Sequence, residues 1–249
     1  MLGTMTGSTI DIKTADGVAD AYLTRPDSGE PRGGVLFLMD AFGLREVIEE
    51  MADQIAAQGY VVLAPNLLYR EGRAPLFEMP DLTEPDQRAA FFEKLRPMLD
   101  GLTPERIAAD GRAYLDRLAQ ETAGQVALSG YCMGARVGWR IATAYPDRVA
   151  ALGGFHAGGL VTDAPDSPHR SVDQLDAQLY FGHADNDPSN SAEQIKALDE
   201  ALDAAGVTYR SEVYEGAAHG YTMADTAAFN EPARERHFTA LYGLLQSAL

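Results

Sequence analysis

Residues 125–139, QVALSGYCMGARVGW, decide the fold, because they place the only cysteine of the chain between two glycines, where a strand pattern gives way to a helix pattern. A Gly-X-nucleophile-X-Gly turn joins a buried strand to a helix so tightly that side chains at the flanking positions would clash. The stretch therefore predicts Cys132 as a nucleophile on a strained turn. The alternative is a small, buried and inert cysteine.

Apolar strand patterns alternate with helical patterns along the chain. The strand patterns are GVLFLMD (34–40), YVVLAPN (60–66), RVAALGGF (148–155), AQLYFG (177–182) and TYRSEVY (208–214). Such alternation is typical of a parallel sheet covered on both faces. STIDIKT and VADAYLT, around Asp16-Gly17, predict a hairpin. We predict one α/β domain over residues 1–249, with a mostly parallel central sheet of about eight strands, helices on both faces and an N-terminal antiparallel hairpin.

Helical periodicity lies between the strands, at residues of about 84–98, 103–119 and 191–205, and again from Pro232. Residues 67–82 are irregular and rich in proline, arginine and acidic residues. We expect the region from 66 to 100 to set substrate specificity.

The composition excludes several classes of partner. The 249 residues carry a formal net charge of −17, which repels phosphate backbones and anionic membranes. One cysteine cannot form an internal disulfide, and the stretch MLGTMTGSTI has neither the basic nor the apolar region of a secretory signal. We expect a cytoplasmic protein that acts on a small molecule as a monomer or homodimer, with no nucleic-acid or membrane partner.

Two later segments offer partners for the thiol. A nucleophile needs a base, and the base needs an orienting acid. In α/β folds whose nucleophile lies on a Gly-X-nucleophile-X-Gly turn, the chain order is nucleophile, acid, histidine. HADND supplies Asp185 and Asp187 after one strand, and EGAAHGY supplies His219 after the last strand. Catalytic groups gather at the carboxyl ends of strands in open α/β sheets. We therefore predict His219 as the base and one of the two aspartates as the acid.

The remaining histidines are predicted to be structural or solvated. His156 and His183 follow strands, where a hydrogen-bonded structural role is the better interpretation. His169 lies in a loop and His237 in a polar helix, so both are expected to face solvent. The histidines are scattered and no Cys/His ligand spacing is present, so we predict no metal and no organic cofactor.

Acyl transfer also needs N–H donors for the oxyanion. These are normally the amide after the nucleophile and one from the loop after the third strand, here Met133 and Ala41. The same loop, MDAFGLR, places Asp40 beside the thiol. Its carboxylate would oppose the thiolate that the helix N-terminus favours, so we predict Asp40 as a thiol-modulating residue. An N-cap for the following helix is an equal alternative for Asp40.

These segments together resemble the dienelactone hydrolases, a family of the α/β-hydrolase superfamily, over nearly the whole chain. The resemblance is carried by the segments MDAFGLR, AQGYVVLAPNLLYR, GYCMG, HADNDPSNSAEQ and YEGAAHGY. It implies an α/β-hydrolase fold and a hydrolase that opens a small lactone or cleaves a small carboxylic ester through a cysteine acyl-enzyme. In that reaction Cys132 would be the nucleophile and His219 the base. The spacing around the family's acid favours Asp187 over Asp185.

The chain departs from the family at its substrate contacts. Where dienelactone-hydrolysing members have an arginine four residues after the histidine, this chain has Met223. A second substrate arginine could correspond to Arg70, Arg73 or Arg88. The expected substrate contacts are Phe42, Arg88, Tyr221 and Met223.

Two other functions remain open. One is a general esterase or thioesterase with an apolar acyl pocket, consistent with Met223 and with the aromatic residues Phe42, Phe155 and Tyr221. The other is a non-catalytic relative in which the cysteine is oxidised as a redox sensor.

Overall fold

A computed structural model describes residues 7–249, and its strands form one sheet. In these residues the strands are β1 (Ser8–Thr14), β2 (Gly17–Thr24), β3 (Gly34–Leu38), β4 (Val61–Pro65), β5 (Val126–Tyr131), β6 (Val149–Phe155), β7 (Gln178–Ala184) and β8 (Tyr209–Tyr214). Their order across the sheet is β1-β2-β4-β3-β5-β6-β7-β8. The β1-β2 and β2-β4 pairs are antiparallel and the other pairs are parallel. The predicted parallel sheet with an N-terminal hairpin is confirmed.

Helices cover both faces of the sheet. Those in the described residues are α1 (Glu46–Ala56), α2 (Pro85–Asp100), α3 (Pro104–Leu118), α4 (Met133–Ala144), α5 (Ala192–Ala205) and α6 (Glu231–Ala248). α1 and α6 are joined by a hydrogen bond from the Tyr242 hydroxyl to the Gln54 carbonyl. α3 packs against α4. Within residues 7–249, no helix is both long and apolar enough to cross a membrane.

The expectation about a secretory signal concerns residues that lie partly outside the described part of the chain, which starts at residue 7. The elements that position the site all lie inside it. β3 and β5 are neighbours in the centre of the sheet, and every residue of both is buried. Because β3 to β8 run parallel, the loops that leave their carboxyl ends lie at one edge of the sheet. These loops carry the residues that the sequence singled out.

Local side chains cap the N-termini of α5 and α6. α5 begins with a capping box, in which the Ser191 hydroxyl accepts from the Gln194 N–H and the Gln194 side chain accepts from the Ser191 N–H. α6 begins at Glu231 rather than Pro232, because the Asn230 side chain accepts from the Ala233 N–H. Of the 16 residues of α2, Phe91 and Leu95 are buried.

Candidate active site

Cys132 lies on a strained turn between β5 and α4. Its backbone has φ 53° and ψ −117°, a left-handed conformation that few side chains adopt. A Cβ atom on Gly130 would lie 2.6 Å from the Cα of Ala135, and one on Gly134 would lie 2.6 Å from the Met39 carbonyl oxygen. Both contacts are shorter than packing allows, so the two flanking glycines are required by the close approach of backbone. Cys132 itself is half-buried and lines a cavity, which does not fit an inert core cysteine.

The thiol, an imidazole and a carboxylate form one chain of contacts. Nε2 of His219 lies 3.1 Å from Sγ of Cys132, and Nδ1 of His219 lies 2.6 Å from Oδ2 of Asp187. The other carboxylate oxygen of Asp187 accepts from the N–H and the hydroxyl of Ser189, at 2.8 and 2.7 Å. Asp185 instead accepts from the Gly216 N–H. The structure therefore brings Asp187, and not Asp185, to the histidine.

The charges of His219 and Asp187 stabilise each other. Burial lowers the pKa of His219, but the hydrogen bonds with Asp187 and Cys132 outweigh burial and raise it to about 10. Burial likewise raises the pKa of Asp187, but the hydrogen bonds from His219 and Ser189 outweigh it and bring that pKa below its usual value. At neutral pH the imidazolium therefore donates from Nδ1 to Asp187 and from Nε2 to the sulfur. The imidazolium charge therefore lies between the Asp187 carboxylate and the Cys132 sulfur.

The two residues expected to bind an oxyanion through their amides are Met133, which directly follows Cys132, and Ala41. Met133 is the first residue of α4, and Ala41 lines the same cavity as Cys132 from the loop after β3. Among the hydrogen bonds of residues 7–249, neither the Ala41 N–H nor the Met133 N–H has a protein acceptor. Both donors are therefore available to a ligand.

Asp40 has a different environment from either expectation. Its carboxylate accepts from Nη1 and Nη2 of Arg45 at 2.7 and 3.0 Å, and from the Phe42 N–H at 3.1 Å. The N-cap of α1 is Arg45 and receives no side-chain cap, so the N-cap interpretation of Asp40 is wrong. Asp40 does line the cavity of Cys132, but both of its oxygens are directed to Arg45. Burial lowers the pKa of Arg45, yet Asp40 and Asp225 outweigh burial and raise it, so the guanidinium stays charged.

The cavity above the thiol has a volume of about 430 Å³. Its walls are mostly apolar, and the apolar side chains on them include Ala41, Phe42, Leu82, Phe92, Met223 and Ala227. Two open grooves of about 510 and 540 Å³ lie elsewhere on the surface, but neither contains Cys132, His219 or Asp187. Because Cys132 and His219 line the 430 Å³ cavity, it is the candidate substrate site.

Three of the four expected substrate contacts line this cavity, namely Phe42, Arg88 and Met223. Tyr221 does not, and that expectation is wrong. Its side chain is fully buried, and its hydroxyl donates to the Gly182 carbonyl at 3.0 Å.

Other aromatic and arginine candidates also lie outside the cavity. Phe155 is buried in the core, stacked on Tyr131. Arg70 pairs with Asp110 and Asp16, and Arg73 pairs with Asp11. Arg88 is thus the candidate arginine that the cavity retains.

The other histidines differ in how well their sequence interpretation holds. His183 is buried with partners on both ring nitrogens, Ser211 and Asn190, as predicted. His237 was expected to face solvent, which is wrong: it is fully buried, and its Nε2 lies 2.8 Å from the Tyr131 hydroxyl. His169 is half-buried and contacts the Ser167 hydroxyl.

His156 is a buried histidine that borders the site. It lines the cavity at φ 38°, and its ring lies 5.3 Å from the ring of His219. Nε2 contacts the Thr222 hydroxyl at 2.8 Å, whereas Nδ1 has no partner among the described residues. Only one of its two ring nitrogens therefore has the hydrogen bond expected of a structural histidine. Burial and the neighbouring His219 hold its pKa well below the usual value, so the ring is neutral.

Sequence reasoning missed two residues of this site. Ser189, which holds Asp187, follows that aspartate by two positions, a spacing at which aspartate side chains commonly accept from the backbone. That signal was present in DPS and could have been used. The contact of Arg45 with Asp225 gives no such signal, because the two residues are 180 positions apart. Within residues 7–249, no group of three or more His, Cys, Asp or Glu side chains is arranged to hold a metal ion.

Comparison with known proteins agrees with this geometry. Residues 19–249 match the model of the dienelactone hydrolase family. A candidate carboxymethylenebutenolidase of Salmonella typhi is 27% identical over 222 residues, which cover 85% of this chain and 76% of that protein. One of Methylorubrum extorquens is 26% identical over 231 residues, covering 91% and 76% of the two chains.

Solved structures show the same fold. The crystal structure of a candidate dienelactone hydrolase from Klebsiella pneumoniae superposes with a TM-score of 0.84 at 20% identity, covering 98% of this chain and 99% of the other. The predicted α/β-hydrolase fold is therefore confirmed. The match of the family model across most of the sequence shows that this chain belongs to the dienelactone hydrolase family and is a hydrolase of that type.

Proposed function

We propose that the protein hydrolyses a small carboxylic ester or opens a small lactone through an acyl-enzyme on Cys132. The observation that carries the proposal is the chain of contacts from the thiol through His219 to Asp187, with separations of 3.1 and 2.6 Å, on a strained turn that faces a cavity. A nucleophile, a base and an orienting acid in this order are the parts that acyl transfer needs.

The first half-reaction forms a thioester. The Cys132 sulfur attacks the carbonyl carbon of the substrate, and the carbonyl oxygen becomes an oxyanion that accepts from the Ala41 and Met133 amides. When the tetrahedral intermediate collapses, the carbon–oxygen bond to the leaving group breaks. His219 gives the proton on Nε2 to the leaving alkoxide, which in a lactone stays attached to the acyl group.

The second half-reaction releases the acid. Neutral His219 takes a proton from water through Nε2, and the hydroxide oxygen attacks the thioester carbon. Collapse of this second intermediate breaks the carbon–sulfur bond and restores the thiolate. Asp187 holds Nδ1–H throughout, so Nε2 faces the reacting atoms in both steps.

Substrate contacts are proposed from the cavity walls. The relatives are named as carboxymethylenebutenolidases, so carboxymethylenebutenolide is the first lactone to assay. Arg88 offers a positive charge for a carboxylate, while Phe42 and Met223 offer apolar surface. The apolar walls favour a second candidate function on the same residues, a general esterase for short apolar acyl groups. The ratio of kcat/KM for the lactone and for p-nitrophenyl butyrate separates these two candidates.

The cellular setting is also proposed. A single, half-buried reactive thiol suits the reducing conditions of the cytoplasm. We further propose that residues 1–249 act as one domain, as a monomer or homodimer, which light scattering of the purified protein measures.

Modification of the thiol tests the proposed function directly. Iodoacetamide reaches one cysteine in this chain, so alkylation is selective for Cys132. We expect alkylation and Cys132→Ala each to abolish turnover of p-nitrophenyl acetate, with the melting temperature unchanged. Turnover that survives either treatment would contradict the proposal. Rapid oxidation by hydrogen peroxide in a protein with no esterase activity would favour the redox sensor.

A further inference from the structure

Arg45 lies between two carboxylates, one of which, Asp40, lines the cavity of Cys132. Nη1 and Nη2 donate to Asp40 at 2.7 and 3.0 Å, and Nε and Nη2 donate to Asp225 at 2.6 and 3.2 Å. Nη1 also donates to the Gly43 carbonyl at 3.0 Å. All five N–H groups of the guanidinium therefore have acceptors, in a side chain that is only 9% exposed.

The two carboxylates belong to two different loops. Asp40 follows β3 and directly precedes Ala41, whose amide is a proposed oxyanion donor. Asp225 lies in the loop between β8 and α6, the loop that also carries His219 and Met223. One guanidinium thus connects the oxyanion loop, residues 40–45, to the histidine loop, residues 219–230. Both loops contribute side chains to the cavity.

The charge of Arg45 matters as much as its geometry. The Asp40 side chain is 4% exposed and borders the same cavity as Cys132. A buried carboxylate without a partner would repel the negative charge that forms on the sulfur and on the substrate oxygen. It could also accept a hydrogen bond from the protonated thiol and so hold the thiol in its unreactive form. Each Asp40 oxygen accepts from Arg45, so the guanidinium offsets the negative charge and occupies acceptor sites on both oxygens.

We propose that Arg45 is a positioning residue for the acyl-transfer reaction, which keeps the Asp40 carboxylate away from the Cys132 sulfur. Through its contacts with Asp225 it also holds the oxyanion loop against the histidine loop. The inference rests on the proposed function, since it assigns Arg45 a part in that chemistry. Arg45 itself binds no substrate, because its five donors are already used.

Two measurements separate the charge effect from the positional effect. The rate constant for alkylation of Cys132 by iodoacetamide reports the reactivity of the thiol, and kcat with p-nitrophenyl acetate reports the assembled site. For Arg45→Met we expect alkylation to slow about tenfold, because Asp40 loses its counter-charge. We expect kcat to fall about 100-fold with KM nearly unchanged, because the oxyanion loop also moves.

Two further variants keep the test decisive if Arg45→Met folds poorly. In Arg45→Met/Asp40→Asn the unpaired carboxylate is gone, so alkylation should return to within about twofold of the wild-type rate. Arg45→Lys keeps the charge but cannot bind both carboxylates in a bidentate manner. It should alkylate at the wild-type rate while kcat falls about tenfold. Arg25→Met, which breaks a surface pair with Glu121, is the matched control and should change neither measurement.

The outcomes distinguish this inference from the proposed function. If the wild type does not turn over esters, or if Cys132→Ala does, the proposed function fails. If the wild type is active and folded Arg45→Met keeps both wild-type rates, only the inference on Arg45 is overturned. Equal loss of alkylation in Arg45→Met and in the double variant, with both folded by circular dichroism, would also overturn it, because Asp40 would then not be the cause.

Discussion

The two sides of the active-site cavity are built differently. Cys132 and Asp187 follow the buried strands β5 and β7, and His219 follows the edge strand β8. Asp187 is itself only 5% exposed. The opposite wall comes from residues 82–92, of which Phe91 is the buried member. That wall is attached to the body through aromatic contacts, with Phe91 and Phe42 ring centroids 5.6 Å apart. The reacting groups are therefore rigidly placed, while the substrate wall can change with little effect on the core.

The largest expected effect belongs to the acid of the triad. Asp187→Asn should lower kcat/KM about ten-thousandfold, because the amide favours the wrong tautomer of His219. Asp185→Asn is the matched control two positions earlier, and it should cost less than about fivefold because Asp185 only accepts from the Gly216 N–H. Steady-state kinetics with p-nitrophenyl acetate measures both. Equal losses in the two variants would contradict the assignment.

The pH dependence of the free enzyme should follow His219, whose pKa is raised to about 10. The imidazolium protonates a poor leaving group, so kcat/KM for an alkyl ester should hold through neutral pH and fall as the pH passes about 10. p-Nitrophenolate leaves without a proton, so its ester should show a weaker decline. A pH-stat assay with ethyl butyrate measures the first profile. A decline of the alkyl-ester rate near pH 7 would contradict this electrostatic arrangement.

The same shift predicts a pH effect on stability. A folded pKa above the unfolded value of about 6.5 means that folding is stabilised by the bound proton. The stabilisation is fully present below about pH 6.5 and is lost as the pH rises through about 10. Chemical denaturation of the wild type should show this loss, and His219→Gln should not.

A smaller effect is expected at Ser189, which holds the far oxygen of Asp187. Ser189→Ala should lower kcat about tenfold, because the carboxylate loses a charge-assisted hydrogen bond. Ser189→Thr keeps the hydroxyl and should restore most of the rate. The control is Ser191→Ala, which removes the cap of α5 and should cost about 1 kcal/mol of stability without changing kcat. A loss of kcat in Ser191→Ala as large as in Ser189→Ala would point to a general effect on the loop.

The smallest effect is expected on the exposed wall. Phe92→Ala should raise KM for p-nitrophenyl butyrate about threefold and leave kcat unchanged, because it removes only apolar contact surface. The effect should be weaker for the acetate ester, which reaches less of the wall. Val213→Ala, an exposed apolar residue of β8 away from the cavity, is the control. A change in kcat of Phe92→Ala would show that the wall also positions the reacting groups.

The sequence predicted the rigid side of the site well, for physical reasons. Gly130 and Gly134 are required because a side chain at either position would clash with nearby backbone. Both lie within two residues of Cys132, so the motif can be recognised in the sequence. Parallel strands have their carboxyl ends at one edge of the sheet. Residues that directly follow these strands, such as Cys132, Asp187 and His219, are therefore predicted to lie at that edge. The spacing argument that preferred Asp187 to Asp185 is matched by the geometry.

Side-chain direction was the feature that spacing did not predict. Tyr221 is two residues from His219, yet it points into the core toward Gly182, because the loop does not keep a regular alternation. His237 has polar neighbours, but α6 turns it toward the sheet together with Leu241 and Leu245. The i, i+4, i+8 spacing of these three positions was the signal that could have shown its burial. Arg45 and Asp225 are too far apart in the chain for any local pattern to link them.

Mass spectrometry of the intact protein tests the acyl-enzyme most directly. The protein is quenched in acid within the first turnovers of p-nitrophenyl acetate, beside a sample alkylated beforehand with iodoacetamide. We expect an acetyl adduct that peptide mapping places on Cys132, that alkylation prevents and that decays at the rate of turnover. Turnover that continues after complete alkylation of Cys132, or an acetyl group on another residue that decays at the turnover rate, would contradict the thiol nucleophile.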